Sequence, residues 1–462
     1  MIKSKFENIA GYAKEKNELI DLAHILKNYK EIKDMGGRIP RGLLLMGSNG
    51  VGKTCLAKSF IKESGMNCVE VDPSKKEKEF DRHIKEVFKD AKTKRPCIIY
   101  IEELDKIAGR RDMFSFGDDN YKRFESLLSI INKNSHIDDL FILATANRER
   151  RFDNSLIRSG RIDKVINIDL PNEKDRAEIF KYYISSKRRE EKININLLAK
   201  TTSQFSGADI ESVVNEAVLN AIKHNRTAIN QKDINAAIND KKFGTLEKES
   251  ELSKDYQRIV ATHEAGHALM MLFGPHNRIN RVTILPRGGI KGYAEEESSD
   301  DKILSLKEKE NLVAVALGGM AAEKVFYNNN FNGSTSDILK AKHFISLLIC
   351  IDGYRGYDKL VDITGERPPL ISEQKLRIIE EESAKIFQEQ LDYSINLISK
   401  HKKLALMLID ELISKKTIEK DRLEEIFKSY LNTLSNEERL KVRQENEQKF
   451  QIQFNNEEII NA

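Results

Sequence analysis

The chain has 462 residues, 40% hydrophobic and 32% charged, which is long enough for two or three domains with cores of their own. Lys and Arg (77) are interleaved with Asp and Glu (73) for a net charge of +4, so the composition calls for neither a nucleic-acid nor an anionic-membrane partner. Residues 1–11 lack the apolar stretch of a signal peptide, the weakly polar run Leu312 to Ala322 is too short for a bilayer, and Cys55, Cys68, Cys97 and Cys350 form no CxxC pair; together these predict a soluble cytoplasmic protein with reduced thiols.

Between Arg41 and Leu170 short apolar runs alternate with helical patterns. Gly42–Met46, Asn67–Val71, Cys97–Ile101, Leu140–Ala144 and Val165–Ile168 read as buried strands of a parallel sheet covered by helices on both faces. The first strand runs into Gly47, Ser48, Asn49, Gly50, Val51, Gly52, Lys53 and Thr54, followed by a helical pattern to Glu63. This is a GxxxxGK[ST] loop between strand and helix, the context the motif requires. Its backbone N–H groups can close around phosphate oxygens, with the helix dipole behind them. Lys53 would reach the β- and γ-phosphates of ATP, and the Thr54 hydroxyl would ligate Mg²⁺.

The third strand ends in Glu102 and Glu103, at the strand end that faces the ligand crevice of such a sheet. Glu102 can hold the Mg²⁺ water shell, and Glu103 can orient a water toward the γ-phosphate. Asn147 ends the fourth strand, where it can hydrogen-bond the same water or phosphate. The segment from Phe152 to Asp163 then carries Arg158 and Arg161 on a loop.

From Pro171 to Asp240 the pattern is of short helices, with Ser206-Gly207-Ala208-Asp209 as a capping-box start. Residues 241–255 have the composition of a linker. Next, the apolar-periodic run Ile259 to Phe273 contains His263-Glu264-Ala265-Gly266-His267. Positions four apart share a helix face, so His263 and His267 can offer two neutral imidazoles to one metal ion, with Glu264 beside them as a general base. A mid-helix Gly266 costs about 1 kcal/mol relative to Ala, which argues against an ordinary amphipathic helix.

Arg281 to Arg287 reads as a strand with Pro286 at its end, which confines it to a sheet edge or places Pro at its terminus; as an edge it could pair with an extended peptide. An apolar helix follows, Leu312 to Tyr327, carrying Glu323; then comes the polar loop 328–336, with Asp337 at the next helix start. A catalytic zinc wants a third protein ligand, and spacing alone leaves it open among the carboxylates after His267. Ser372 to Tyr430 reads as charged amphipathic helices without candidate chemistry, and 431–462 as a polar, loosely ordered tail.

The phosphate loop, the acidic strand end and the Asn147-to-Asp163 segment resemble the AAA ATPase module. With the HEAGH sequence downstream, residues from about Phe6 to Phe427 resemble the FtsH-type AAA metalloproteases throughout. The resemblance implies an α/β fold in which a P-loop AAA ATPase domain (1–170) and helical lid (171–240) precede a linker (241–255). A mainly α-helical, zincin-like metallopeptidase domain (256–430) and the tail (431–462) follow. It implies that Gly207 belongs to a second nucleotide-contacting motif. It also implies that Arg158 and Arg161 are arginine fingers acting on a neighbouring subunit's nucleotide, hence a homo-hexameric ring. The segments Gly318-Gly-Met-Ala-Ala-Glu323 and Gly333-Ser-Thr-Ser-Asp337 match those in which this Asp is the third zinc ligand. Glu323 then orients the site from behind.

The chain departs from the family in three places. Family members usually carry membrane helices before the ATPase domain at which this sequence starts, so the protein is expected to be soluble, or membrane-anchored if an N-terminal segment precedes this sequence. Glu102 stands where the family has Asp, which predicts slower hydrolysis because Mg²⁺ demands near-ideal octahedral geometry. The aromatic-hydrophobic-Gly pore loop is replaced by the charged stretch Val71 to Phe80, in which Phe80 is the aromatic available and reads either as a pore residue or as the buried face of a helix. The expected activity is ATP-dependent zinc endopeptidase action on proteins or peptides, with one Zn²⁺ per subunit. The alternatives are a AAA remodelling or binding protein that does not thread its substrate, and a zinc peptidase limited to unfolded peptides.

Overall fold

The computed structural model describes residues 5–107, 119–137, 139–147, 156–158, 160–190, 193–246, 253–274, 279–296, 304–352 and 373–439. Part of the arginine-bearing loop (152–155 and 159), part of the stretch read as a linker (247–252) and most of the tail (440–462) lie outside them. The chain divides into two compact units, Met1–Ile238 and Asn239–Ala462.

The first unit begins with helices α1 (Ala13–Lys27) and α2 (Tyr29–Asp34). It continues through β1 (Gly42–Gly47), α3 (Lys53–Ser64), β2 (Asn67–Val71), α4 (Glu77–Thr93), β3 (Cys97–Ile101), α5 (Asp119–Asn134), β4 (Leu140–Asn147) and β5 (Lys164–Ile168). The five strands form one sheet in the order β2-β3-β4-β1-β5, and every neighbouring pair is parallel. Side chains alternate across a strand, so a sheet buried on both faces must be apolar at consecutive positions. Leu43 and Leu45 join one core with Ile98, Tyr100, Phe141 and Leu143. Leu44 joins the opposite core with Ile99, Ile101, Ile142 and Ala144. The five strands read from the sequence are those observed, with β1 and β4 extending further toward the cleft.

Helices α6 (Glu173–Ser185), α7 (Ile195–Thr201) and α8 (Gly207–Lys223) follow, and α9 (Gln231–Phe243) contains the boundary between the units. Asn172, Asn194 and Ser206 cap α6, α7 and α8 through their side-chain oxygens, and Ser206 with Asp209 completes the expected capping box.

The second unit holds α10 (Lys254–Leu272), β6 (Ile279–Thr283), β7 (Tyr293–Glu296), α11 (Leu306–Tyr327), α12 (Thr335–Cys350), α13 (Glu373–Lys400), α14 (Lys402–Lys415), β8 (Thr417–Glu419) and α15 (Lys420–Asn432). Its centre is the contact between α10 and α11. A Cβ on Gly266 would stand 2.2 Å from Gly318 O, so only paired glycines let the two backbones approach this closely. The cost of a mid-helix glycine is therefore offset by close helix packing, and Ala265, Leu269, Leu317 and Ala321 fill the core around it.

The expectation for the strand after the histidine helix needs correction. β6 is the middle strand of a three-stranded antiparallel sheet, β7-β6-β8, and not an edge. Pro286 lies beyond Thr283, where its missing N–H costs no ladder bond. The strand that occupies the second side, β8, is three residues long and comes from far along the chain.

Candidate functional site

In the first unit a cleft of about 360 Å³ lies over the C-terminal ends of the parallel strands. Asn49, Gly50, Val51, Gly52, Lys53, Thr54, Glu102, Glu103, Asn147 and Gly207 line it, together with Ile9, Ala10, Tyr12 and Tyr182. The phosphate loop turns through two left-handed glycines, Gly50 (φ 80°) and Gly52 (φ 98°), and Gly52 caps α3. The start of α8 sits on this loop: Ala208 N donates to Gly50 O at 3.1 Å, and a Cβ on Gly50 would meet Ser206 Oγ at 2.7 Å. Gly207 thus stands against the phosphate loop.

The charged groups of the cleft are tied together by short hydrogen bonds. Lys53 Nζ donates to Gly47 O and Ser48 O, each at 2.8 Å, and to Asn147 Oδ1 at 2.9 Å. Thr54 Oγ1 donates to Glu102 Oε1 at 2.6 Å, which joins the two groups expected to share Mg²⁺. Glu103 has a positive φ of 50°, its N–H donates to Thr145 Oγ1 at 3.1 Å, and its carboxylate pairs with Lys106. Glu103 carries a side chain in a backbone region that costs non-glycine residues energy, as is common at functional sites.

Arg158 is exposed and does not line this cleft; Arg161 is half-buried, and its Nε donates to Asn132 Oδ1 at 2.8 Å. Phe80 takes the helix-face alternative rather than the pore one. It is fully buried on α4, in the core with Ile84, Leu104 and Phe124. The charged segment before it is pinned from α5, where Arg123 Nη1 donates to the carbonyls of Pro73 and Lys75, each at 3.0 Å.

In the second unit α10 presents His263 and His267 on one face, and the first turn of α12 brings Asp337 to them. His263 Nε2 lies 3.1 Å from His267 Nε2 and 3.1 Å from Asp337 Oδ2, and His267 Nε2 lies 3.5 Å from the same oxygen. A tetrahedral zinc with ligands at about 2.0–2.1 Å separates its donors by about 3.4 Å, so this triangle has the dimensions of a zinc face. The outer nitrogens agree. His263 Nδ1 donates to Glu323 Oε1 at 2.8 Å and His267 Nδ1 to Val315 O at 2.7 Å. Carboxylate and carbonyl only accept, so each ring donates from Nδ1 and turns its Nε2 toward the common point, where a metal would replace the proton that His263 Nε2 shares with Asp337 Oδ2.

Glu323 is 1% exposed and also accepts from Phe331 N at 2.8 Å, so one carboxylate ties His263 to the loop that leads to Asp337. Glu264 is buried, with Gly292 against it: a Cβ on that glycine would lie 2.9 Å from Glu264 Cγ and Oε1. Its Oε2 has no hydrogen-bond partner among the described residues, and burial raises the pKa of its carboxyl. Burial works against a charged His263, but hydrogen bonds to Asp337 and Glu323 outweigh it and push the imidazole up to about 10. Asp337 is the counterpart: burial opposes its charge, and the two histidines hold its carboxyl far below the usual range. Two nitrogens, one carboxylate oxygen and a buried carboxyl beside them suit zinc.

Several contributors have no signal in the sequence. Gly319 and Gly292 are shaped by contacts with His263 and Glu264 that spacing cannot reveal. Asp105 and Thr145 bind groups on the neighbouring strand end, and only strand order makes them neighbours.

Comparison with known proteins agrees with this division. The family described as ATPase family associated with various cellular activities (AAA) matches residues 43–170, AAA+ lid domain matches 192–236, and Peptidase family M41 matches 250–426. The chain is 34% identical over 444 residues to the ATP-dependent zinc metalloprotease FtsH of Mycoplasma genitalium, covering 92% of this chain and 63% of that protein. It is 34% identical over 441 residues to the Mycoplasma pneumoniae protein of the same name, covering 91% and 62%. It is 30% identical over 461 residues to ATP-dependent zinc metalloprotease FtsH 3 of Symbiobacterium thermophilum, covering 95% of this chain and 73% of that one. The chain thus spans under two thirds of the length of the two mycoplasma relatives. Among its described residues no helix is long and apolar enough to cross a membrane. A AAA domain, its lid and an M41 peptidase domain in this order, with 30% identity across nearly three quarters of a full relative, place the chain in the FtsH family.

Proposed function

We propose that this chain is an ATP-dependent zinc endopeptidase that cleaves loosely folded proteins. The observation that carries the proposal is the triangle of His263 Nε2, His267 Nε2 and Asp337 Oδ2, with the Glu264 carboxyl beside it, whose Oε2 has no hydrogen-bond partner among the described residues. Zinc bound there supplies Lewis acidity toward the carbonyl oxygen of the scissile bond. Glu264, buried and with a raised pKa, takes a proton from the attacking water and passes it to the departing amine. Glu323 and Val315 O hold the two imidazoles in the tautomer that faces the site.

In the nucleotide cleft Lys53 would meet the β- and γ-phosphates of bound ATP, Glu103 would orient the attacking water, and Thr54 with Glu102 would hold Mg²⁺, which supplies neutralisation of phosphate charge. Arg158 and Arg161 lie off their own cleft and act on that of the next subunit in a homo-hexameric ring. The restriction to loosely folded substrates rests on Phe80: the one aromatic of the charged segment is buried, leaving Lys75, Lys76, Glu77, Lys78 and Glu79 as poor grips for apolar groups.

The test is degradation of an unstructured protein and of a stable fluorescent fusion, with and without ATP, by wild type and Glu264→Gln. Wild type should degrade the first rapidly and the second poorly, and Glu264→Gln should retain zinc and cleave neither. Wild-type cleavage rates in Glu264→Gln would refute the assigned base, and rapid loss of the folded fusion would refute the restriction. Mixing Arg158→Ala with Glu103→Gln subunits should partly restore ATP hydrolysis, because some interfaces then keep both groups.

A further inference from the structure

The two strand ends that frame the nucleotide cleft are joined by a buried carboxylate with no part in the chemistry assigned so far. Asp105, two residues after Glu103, is 3% exposed. Its Oδ1 accepts from the backbone N–H of Asn147 at 3.1 Å, and its Oδ2 accepts from Asn147 Nδ2 at 3.4 Å. On the other side of the same amide, Asn147 Oδ1 accepts from Lys53 Nζ at 2.9 Å. An ammonium only donates and a carboxylate only accepts, so these two partners decide which end of the amide faces which way. Beside this pair, Glu103 N donates to Thr145 Oγ1 at 3.1 Å, so the same junction also sets Glu103.

A buried carboxylate is costly unless its partners repay the lost hydration. If Asp105 served only to satisfy the last N–H of β4, a neutral acceptor would do as well. The second contact, to the side-chain nitrogen, is what a neutral acceptor would not secure. We propose that Asp105 is a positioning residue for ATP hydrolysis: it turns the Asn147 nitrogen inward and the oxygen toward the cleft, so that Asn147 serves as a hydrogen-bond acceptor. This rests on the reading of the cleft as an ATPase site. In this orientation Asn147 accepts from Lys53 or from the attacking water, and does not donate to a phosphate oxygen.

The test compares wild type, Asp105→Asn, Asn147→Asp and the exchange variant D105N/N147D, measuring ATP turnover and the binding of a fluorescent ATP analogue. In Asp105→Asn the new amide no longer dictates the direction of Asn147, and kcat should fall about tenfold while analogue Kd stays within about twofold. Asn147→Asp sets two carboxylates face to face and should be at least as slow. The exchange variant returns one amide and one carboxylate to the pair, with an oxygen toward the cleft, and should recover to within about threefold of wild type. It keeps the buried hydrogen bonds, so it reports even where a single variant melts early. An exchange variant no faster than the slower single variant overturns the proposal, because it would show that Asn147 must donate. Wild-type turnover in Asp105→Asn, or a loss of binding in proportion to rate, overturns it as well. A wild-type protein that does not hydrolyse ATP would overturn the ATPase reading itself, a result distinguishable from failed rescue in an active enzyme.

Discussion

Gly319 of α11 lies against the imidazole of His263: a Cβ at that glycine would stand 2.4 Å from both Cε1 and Nε2 of the ring. Glu323, one turn further along the same helix, holds Nδ1 of that ring and keeps it in place. Gly319→Ala should therefore tilt the ring out of the triangle, with an overpacking cost of about 1–3 kcal/mol. Zinc affinity, measured by competition with a chelator, should fall at least about tenfold, as expected for loss of ligand orientation. Unchanged affinity would mean that the helices part without disturbing His263.

Zinc uptake should depend on pH in a definite direction. Without metal, burial opposes charge on both His263 and Asp337, yet their mutual hydrogen bond keeps His263 protonated to about 10 and Asp337 ionised well below 3.8. The raised histidine contributes stability that is complete below its ordinary value of 6.5 and is lost as pH rises through about 10. The lowered aspartate contributes stability present above 3.8 and lost as pH falls further. Zinc must displace the shared proton, so its apparent affinity should rise about tenfold per pH unit between pH 6 and 9. The increase in melting temperature on adding zinc should grow over the same interval. A constant increment would rule out proton displacement.

Glu102 is the group on which the ATPase rate should turn. Its 2.6 Å contact with Thr54 brings the carboxylate to the hydroxyl expected at Mg²⁺, one methylene further from the strand than Asp would be. Glu102→Asp should keep ATP affinity and raise turnover about threefold, because octahedral Mg²⁺ tolerates little displacement of its ligands. A slower Glu102→Asp enzyme would show that this cleft has adjusted to the longer side chain.

Phe80→Ala should act on stability and not on grip. The ring is fully buried, so its removal should cost about 3–5 kcal/mol and lower the melting temperature. ATP-dependent cleavage of an unfolded substrate should persist at temperatures where the variant remains folded. Selective loss of that cleavage without loss of stability would place the ring in the substrate path.

Why some of this is visible in a sequence and some is not follows from the range of the interactions. The strands of the first unit are legible because burial on both faces demands uninterrupted apolar runs, as in Cys97–Ile101. The phosphate loop and the paired histidines are legible because their chemistry is local, within eight and five residues. Asp337 is 74 residues from His263, and nothing local distinguishes it from other carboxylates; only resemblance named it. The central place of β6 is hidden for the same reason, because its second neighbour arrives 134 residues later. Phe80 is legible for a local reason as well: an aromatic in a charged helical stretch reads as its buried face, and α4 turns that position inward.

The clamp of Arg123 on the carbonyls of Pro73 and Lys75 also bears on motion. A connecting segment with free carbonyls fluctuates on its own, in nanoseconds to microseconds. This one is fastened to α5 at two points and anchored by the guanidinium lying 6.0 Å from the Phe80 ring, so its amides open only when α5 loosens as well. Deuterium should enter the 72–80 stretch and α5 as one cooperative group, slowly for a surface connection. Arg123→Ala should let the first exchange early while the second keeps its protection.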